Sequence, residues 1–75
     1  MSIGWRVALE LPAQPGQVAI EHFLASISDP AVAETEVRKF KAAPATSKVR
    51  AYAPVTREEL LDRKFRTGEI RPALF

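Results

Sequence analysis

The chain has 75 residues, no cysteine, one histidine and a formal net charge of +2 at pH 7. A chain of this length forms at most one domain, and folding buries only about 60% of the surface that the unfolded chain exposes. The missing cysteines exclude disulfides and thiolate metal sites, and a single histidine does not make a zinc site. We therefore predict one small domain without metal or cofactor, stabilised by its packing or by a partner.

The hydrophobic content of 47% overstates the core, because twelve of these residues are alanine and only 23 larger apolar side chains remain. Those side chains suffice for one small core, and the net charge is too low to force the chain open. The sequence contains no apolar run near the ~18 residues of a membrane span, and its N-terminus does not form a secretory signal. We expect a folded, cytoplasmic protein without a membrane partner.

The N-terminal third contains two patterns of apolar residues. Every second position from Ile3 to Leu11 is apolar, which predicts a half-buried strand. Prolines and a glycine at positions 12–16 end this strand. The apolar positions of the segment 17–27 then follow the i, i+3, i+4, i+7 spacing of an amphipathic helix, whose predicted inward residues are Ile20, Phe23, Leu24 and Ile27.

The middle of the chain predicts a second helix and a second strand. Asp29 and Pro30 suit the N-cap and the first turn of a helix that runs to about Ala42. The segment 48–55 alternates again and predicts a more exposed strand, with Val49, Ala51, Ala53 and Val55 on one side. The inward residues predicted for the helix are Ala33, Val37 and Phe40.

A third helix is predicted from Thr56 and Glu59, which have the spacing of a capping box. Gly68 is placed to end this helix, whose predicted inward residues are Leu60, Leu61 and Phe65. The element order is then β-α-α-β-α-tail, a small α+β fold with a two- or three-stranded sheet packed on helices. Residues 1–68 form the single domain, and residues 69–75 form a tail that is either an added strand or a docking peptide.

No group of side chains in the sequence predicts catalysis. His22 and Ser26 have the i, i+4 spacing of one helix face, but they lack an orienting acid and an oxyanion site. The acidic neighbours Glu34 with Glu36 and Glu58 with Glu59 diverge on a helix, where they stabilise the N-terminal half instead. The three glycines do not form a phosphate-binding loop. We therefore predict neither an enzyme nor a small-molecule substrate.

Basic residues are concentrated in the C-terminal part, since residues 1–47 carry a net charge of −1 and residues 48–75 a net charge of +3. Lys48, Arg50 and Tyr52 share one strand face, where cations could bind phosphates and the ring could stack on a base. A second basic group follows the third helix, where its charges also suit the helix C-terminus. The candidate nucleic-acid contacts are Lys48, Arg50, Arg63, Lys64 and Arg66.

The segment Arg6-Val7-Ala8-Leu9-Glu10-Leu11-Pro12, followed by two helical segments, resembles the opening of ribbon-helix-helix repressors and antitoxins, whose short strand ends in Leu-Pro. The resemblance covers the N-terminal half of the chain. Because two strands of that family pair across a dimer and enter the major groove, the resemblance implies that Arg6, Ala8 and Glu10 face DNA. It also implies that the chain from Lys48 onward is a toxin-binding extension.

Two functional hypotheses follow. The first is a non-enzymatic adaptor, inhibitor or accessory subunit that binds a larger protein, or a second copy of itself, through an exposed strand or the C-terminal tail. The second is a dimeric DNA-binding regulator or antitoxin of the ribbon-helix-helix kind. The partner-binding residues predicted for the first hypothesis are Tyr52, Ile70, Leu74 and Phe75.

Overall fold

The computed structural model describes residues 2–44 and 47–73, which form four strands and two helices. The strands make one antiparallel sheet in the order β3-β1-β2-β4, so β1 and β2 lie in the centre. None of the helices in this part of the chain is long and apolar enough to cross a membrane. The element bounds are β1 Ser2–Gln14, β2 Gln17–Ala25, α1 Pro30–Phe40, β3 Val49–Thr56, α2 Arg57–Asp62 and β4 Ile70–Pro72.

The predicted order of elements is wrong, and so is the predicted number of strands. The segment 17–27 contains β2 instead of a helix, and the supposed tail contributes β4, which gives the order β-β-α-β-α-β. Pro15 and Gly16 form the turn between β1 and β2, where Gly16 has a φ of 81° that glycine adopts easily. The turn returns the chain along β1, and nine residue pairs then align the two strands. This long-range pairing overrides the local helical spacing.

One face of the sheet, the helix face, is covered by α1. Asp29 caps α1 as predicted, because its side chain accepts hydrogen bonds from the backbone N–H groups of Ala31 and Val32. The completely or almost completely buried residues on this face come from both central strands and the helix. They are Val7, Leu9, Phe23, Ala25, Ala33 and Val37.

The opposite face carries a second, smaller core under α2. Leu60 of α2 packs on Leu24 and Val55, and all three side chains are at most 2% exposed. The helix comes this close because β1 has Gly4 below it. A Cβ atom at that position would lie 3.0 Å from Leu60 Cδ1 and 2.5 Å from the carbonyl oxygen of Ala25. Thr56 is the N-cap of α2 as predicted, since Thr56 Oγ1 accepts from the backbone N–H of Glu59. The Glu59 carboxylate, the other half of the predicted capping box, pairs with Arg6.

Several residues predicted to face inward are exposed instead. Phe40 is 52% exposed at the end of α1, and Leu61 is 60% exposed on α2. The second helix ends at Asp62, well before Gly68, and Lys64 then adopts a positive φ. Leu60 and Leu61 project in different directions because neighbouring helical residues are about 100° apart. A helix this short buries one of them against the sheet.

The loop between α2 and β4 is organised by Arg71. Its guanidinium donates hydrogen bonds to the carbonyl oxygens of Arg63 and Lys64 and to the Glu69 carboxylate, and it lies 4.4 Å from the centre of the Phe65 ring. The hydrogen bond from Arg71, together with a smaller contribution from the backbone N–H of Arg66, lowers the pKa of the Glu69 carboxyl from its usual range. Arg71 thus links β4 to the residues that follow α2.

Candidate functional site

The helix α2 covers only part of its face of the sheet and leaves the part nearest the β1–β2 turn uncovered. We call this uncovered part the open half. Val18, Ile20 and Tyr52 are 63%, 55% and 42% exposed in it, although they are large apolar or aromatic residues. A shallow groove of about 280 Å³ lies between β2 and β3. The side chains of the open half are Ala8, Glu10, Val18, Ile20, His22, Lys48, Arg50 and Tyr52.

Tyr52 and His22 meet above the central strand. The hydroxyl of Tyr52 lies 3.1 Å from His22 Nδ1. The two rings are arranged edge to face, with their centroids 5.7 Å apart. Ala8 pairs with His22 in the sheet, and its methyl group is small enough to let the two rings reach across β1. The register shift in β3, between Ala51 and Ala53, keeps Tyr52 on this face.

The same shift corrects the predicted alternation of β3. Val49 and Ala51 pack on the core of the helix face, whereas Val55 packs with Leu24 and Leu60 on the opposite face. An extra residue in β3 reverses the alternation from Ala53 onward, because side chains alternate with a period of two.

The two cations of the open half, Lys48 and Arg50, form no ion pair within the part of the chain that the structure describes. No carboxylate there lies within 4.0 Å of the Lys48 or Arg50 side-chain nitrogens, whereas Arg6, Lys39, Lys41, Arg63 and Arg71 all form ion pairs. Both cations are exposed. Glu10 lines the same groove and is their nearest acidic neighbour along the strands. Lys48 and Arg50 therefore remain available to an anionic partner.

The outer edge of β3 is partly blocked to a further strand. Its Ala51 N–H donates to Glu34 Oε2 of α1 at 2.8 Å, so one outward donor is already satisfied. Pro54 has no N–H to offer. Carboxylates and prolines at edge positions prevent strands from pairing with other chains.

The outer edge of β2 is open over its first half, among the residues that the structure describes. β4 pairs with Phe23–Ala25, and the last contact along this edge that the described residues make is from the Ala73 N–H to the His22 carbonyl oxygen. Along an antiparallel strand, each residue directs both its N–H and its C=O to one edge, and the next residue directs both to the other edge. Val18 and Ile20 therefore direct their backbone groups to the same outer edge as His22. We call residues 17–21 the free edge of β2.

The sequence-predicted binding residues do not all lie together. Arg63, Lys64 and Arg66 follow α2, outside the open half that contains Tyr52, Lys48 and Arg50. Ile70 is half-buried in β4, where it pairs with Ala25 and packs on the main core. Leu74 and Phe75 lie outside the described residues.

The acidic and nucleophilic residues considered in the sequence analysis contact different parts of the structure. His22 contacts Tyr52, and Ser26 lies about 13 Å farther along an extended chain. Glu34 binds the edge of β3, while Glu59 pairs with Arg6. Within the described residues, no three His, Cys, Asp or Glu side chains are grouped as metal ligands.

Sequence reasoning missed Val18, Glu34 and the exposure of Ile20, because each depends on which strand lies at an edge. Arg6, Ala8 and Glu10, which the ribbon-helix-helix resemblance places against DNA, lie on the central strand, and both edges of that strand are paired within the chain. Models of protein families, curated proteins and solved structures provide no match to this chain. The relationship to ribbon-helix-helix proteins stays a prediction.

Replacing Glu34 with alanine should destabilise the protein by about 1–3 kcal/mol, because a partly buried N–H loses its charged acceptor. Glu36→Ala is the control, since Glu36 makes only an exposed ion pair with Lys39 at 3.7 Å and should change stability by at most about 1 kcal/mol. Urea unfolding followed by circular dichroism measures both. Equal losses for the two variants would contradict the proposed blocking of the β3 edge.

Proposed function

We propose that this protein is a non-enzymatic interaction module that binds another protein chain by accepting its β-strand at the free edge of β2. One observation carries the proposal: residues 17–21 combine outward backbone groups without a partner among the described residues with two exposed apolar side chains, Val18 and Ile20. Strand addition uses both features, since main-chain hydrogen bonds supply affinity and alternate side chains supply specificity.

The other edges of the sheet are poorer acceptors. Glu34 and Pro54 block two positions along the outer edge of β3. β4 has only three residues, and one of them is Pro72. Short edge strands and edge prolines are common means of preventing strand addition. The free edge of β2 is therefore the acceptor that we assign.

The apolar side chains extend the contact beyond the backbone. Val18 and Ile20 project into the open half beside the free edge, so an added strand would cover them with its own side chains on the same face. Burial of apolar surface contributes roughly 25 cal/mol per Å². We expect an uncharged, β-branched segment as the added strand.

A second copy of the chain supplies the β-branched residues of such a segment in one register. If two copies pair antiparallel about Ala19, Val18 of each lies opposite Ile20 of the other, and both residues point their backbone groups at the partner. Gln17 then lies opposite Glu21, whose charge is already balanced by Lys41 at 3.3 Å. No like charges oppose each other in this arrangement, so a second copy and a larger protein are both possible donors of the added strand.

The proposal predicts that Val18→Lys and Ile20→Lys each weaken partner binding at least about tenfold, which corresponds to about 1.4 kcal/mol. Val32→Lys and Leu61→Lys are matched controls, because these apolar residues are 46% and 60% exposed on the two helices. The full chain is purified from its host with whatever co-elutes, and the mass of each complex is measured in solution. Circular dichroism checks that all four variants fold.

A complex lost in both edge variants and kept in both controls supports the proposal, with the mass deciding between a second copy and a larger protein. A complex that tolerates Val18→Lys and Ile20→Lys contradicts it. The proposal also fails if the wild-type chain is a monomer that co-elutes with nothing.

A further inference from the structure

The open half has a second property that strand addition at β2 does not use. Lys48, Arg50 and Tyr52 occupy every second position of one strand segment, and the groove and the His22 contact place all three on the same face. Two residues of a β-strand advance by about 6.7 Å. Three binding groups thus follow one another on one face along the edge strand of the sheet.

The two cations among these groups are available to phosphates. Neither has a carboxylate partner within 4.0 Å among the residues that the structure describes, and both are exposed. Paired side chains would have to break an ion pair before binding an anion, whereas Lys48 and Arg50 do not. The spacing of about 6.7 Å lets them contact neighbouring phosphates of an extended strand.

Tyr52 supplies a surface for a base. Its ring is 42% exposed, and its hydroxyl contacts His22 Nδ1 at 3.1 Å, which fixes the ring orientation. The two rings meet nearly perpendicularly, at 80°, so they are not stacked on each other. A ring held in this way loses little conformational entropy when a base stacks on it.

We propose that the open half binds single-stranded nucleic acid along β3, with Lys48 and Arg50 on two phosphates and Tyr52 stacked on a base. A duplex is a poorer fit because its bases are already stacked and cannot reach the ring. An acidic peptide matches the cations but offers nothing to stack on Tyr52. The basic residues after α2 lie outside this surface and are not part of the site.

Glu10 is a specific feature of this site. It lines the groove with Lys48 and Arg50, so its carboxylate repels a phosphate bound there. Removing that charge should therefore strengthen binding, whereas a nonspecific basic surface would respond little to this one residue. Glu10→Gln preserves the size of the side chain and tests the electrostatic effect alone.

The test titrates the full chain into fluorescein-labelled oligonucleotides of eight thymidines or eight uridines between 20 and 200 mM salt. On a single strand, each phosphate contact contributes about −0.7 to the slope of the logarithm of the association constant against the logarithm of the salt concentration. Two phosphate contacts therefore predict a slope of about −1.4. Lys48→Ala and Arg50→Ala should each reduce the slope by about 0.7. Lys39→Ala, on the exposed surface of α1 with the Lys39 side chain 71% exposed, should leave it unchanged.

Tyr52→Ala should weaken binding about 5- to 150-fold with little change in the salt slope, because the loss is in stacking. Tyr52→Phe keeps the ring, loses the hydroxyl contact and should bind much more tightly than Tyr52→Ala. Glu10→Gln should bind more tightly than wild type. Circular dichroism of each variant excludes unfolding as the cause.

The proposal is overturned if no binding is detected at 20 mM salt, or if an eight-base-pair duplex or an eight-residue polyglutamate binds as tightly as the single strands. Equal effects of Lys39→Ala and Lys48→Ala also overturn it, because they would indicate a general response to net charge. None of these outcomes bears on strand addition at β2, which Val18→Lys tests separately.

Discussion

Replacing Leu60 with alanine should lower the free energy of unfolding by about 2–5 kcal/mol. Leu60 is 2% exposed and is the side chain by which α2 packs on Leu24 and Val55. Its loss leaves a cavity between the helix and the sheet that a six-residue helix cannot close without moving. Urea denaturation monitored by circular dichroism gives the difference from wild type.

Leu61→Ala is the matched control for this prediction. The substitution is chemically identical and one position away, but Leu61 is 60% exposed. It should change stability by no more than about 0.5 kcal/mol. If Leu60→Ala and Leu61→Ala cost the same, α2 does not pack on the sheet in the described orientation.

A second pair of variants tests whether the segment 17–27 forms β2. Leu24→Ala should cost about 2–5 kcal/mol, because the Leu24 side chain is 1% exposed in the core under α2. Ile20→Ala should lower the free energy of unfolding by less than about 1 kcal/mol, because Ile20 is 55% exposed and the substitution removes mainly the strand propensity of a β-branched side chain. The same denaturation experiment measures both variants.

If the segment 17–27 formed the helix predicted from the sequence, the two variants would give a different result. On an amphipathic helix, Ile20 and Leu24 are one turn apart on the buried face, so both substitutions would be severe. Similar large losses for the two variants would therefore contradict the strand. A large loss for Leu24→Ala alone supports it.

Features encoded within a few neighbouring residues could be predicted from the sequence. The alternation from Ile3 to Leu11 predicted β1, and the Asp29 and Thr56 caps predicted where the helices begin. These signals depend on local backbone geometry and on hydrogen bonds three residues away or less. The strand alternation and the helix caps can therefore be predicted without knowing the strand order.

The strand β2 could not be predicted because its conformation depends on long-range pairing. Ile20, Phe23 and Leu24 have helical spacing, but in the sheet Phe23 and Leu24 are buried on opposite faces and Ile20 is exposed. A central strand with a core on each side buries consecutive residues and loses its simple alternation. The pattern is then ambiguous between helix and strand.

The candidate site was predicted only in part for the same reason. Lys48, Arg50 and Tyr52 are neighbours in sequence, so strand alternation alone placed them together. The free edge of β2 and the blocking of β3 by Glu34 depend on the strand order, which brings distant segments together. Neither leaves a signature in the local sequence.

Hydrogen exchange of individual backbone amides tests most directly that the free edge of β2 is the binding surface. In the chain alone, the Val18 and Ile20 amides should exchange rapidly, while the Phe23 amide, paired with Val7, is protected. In the complex that the chain forms in its host, Val18 and Ile20 should become at least about tenfold better protected. Unchanged exchange at both amides, or new protection confined to β3, would contradict strand addition at the free edge of β2.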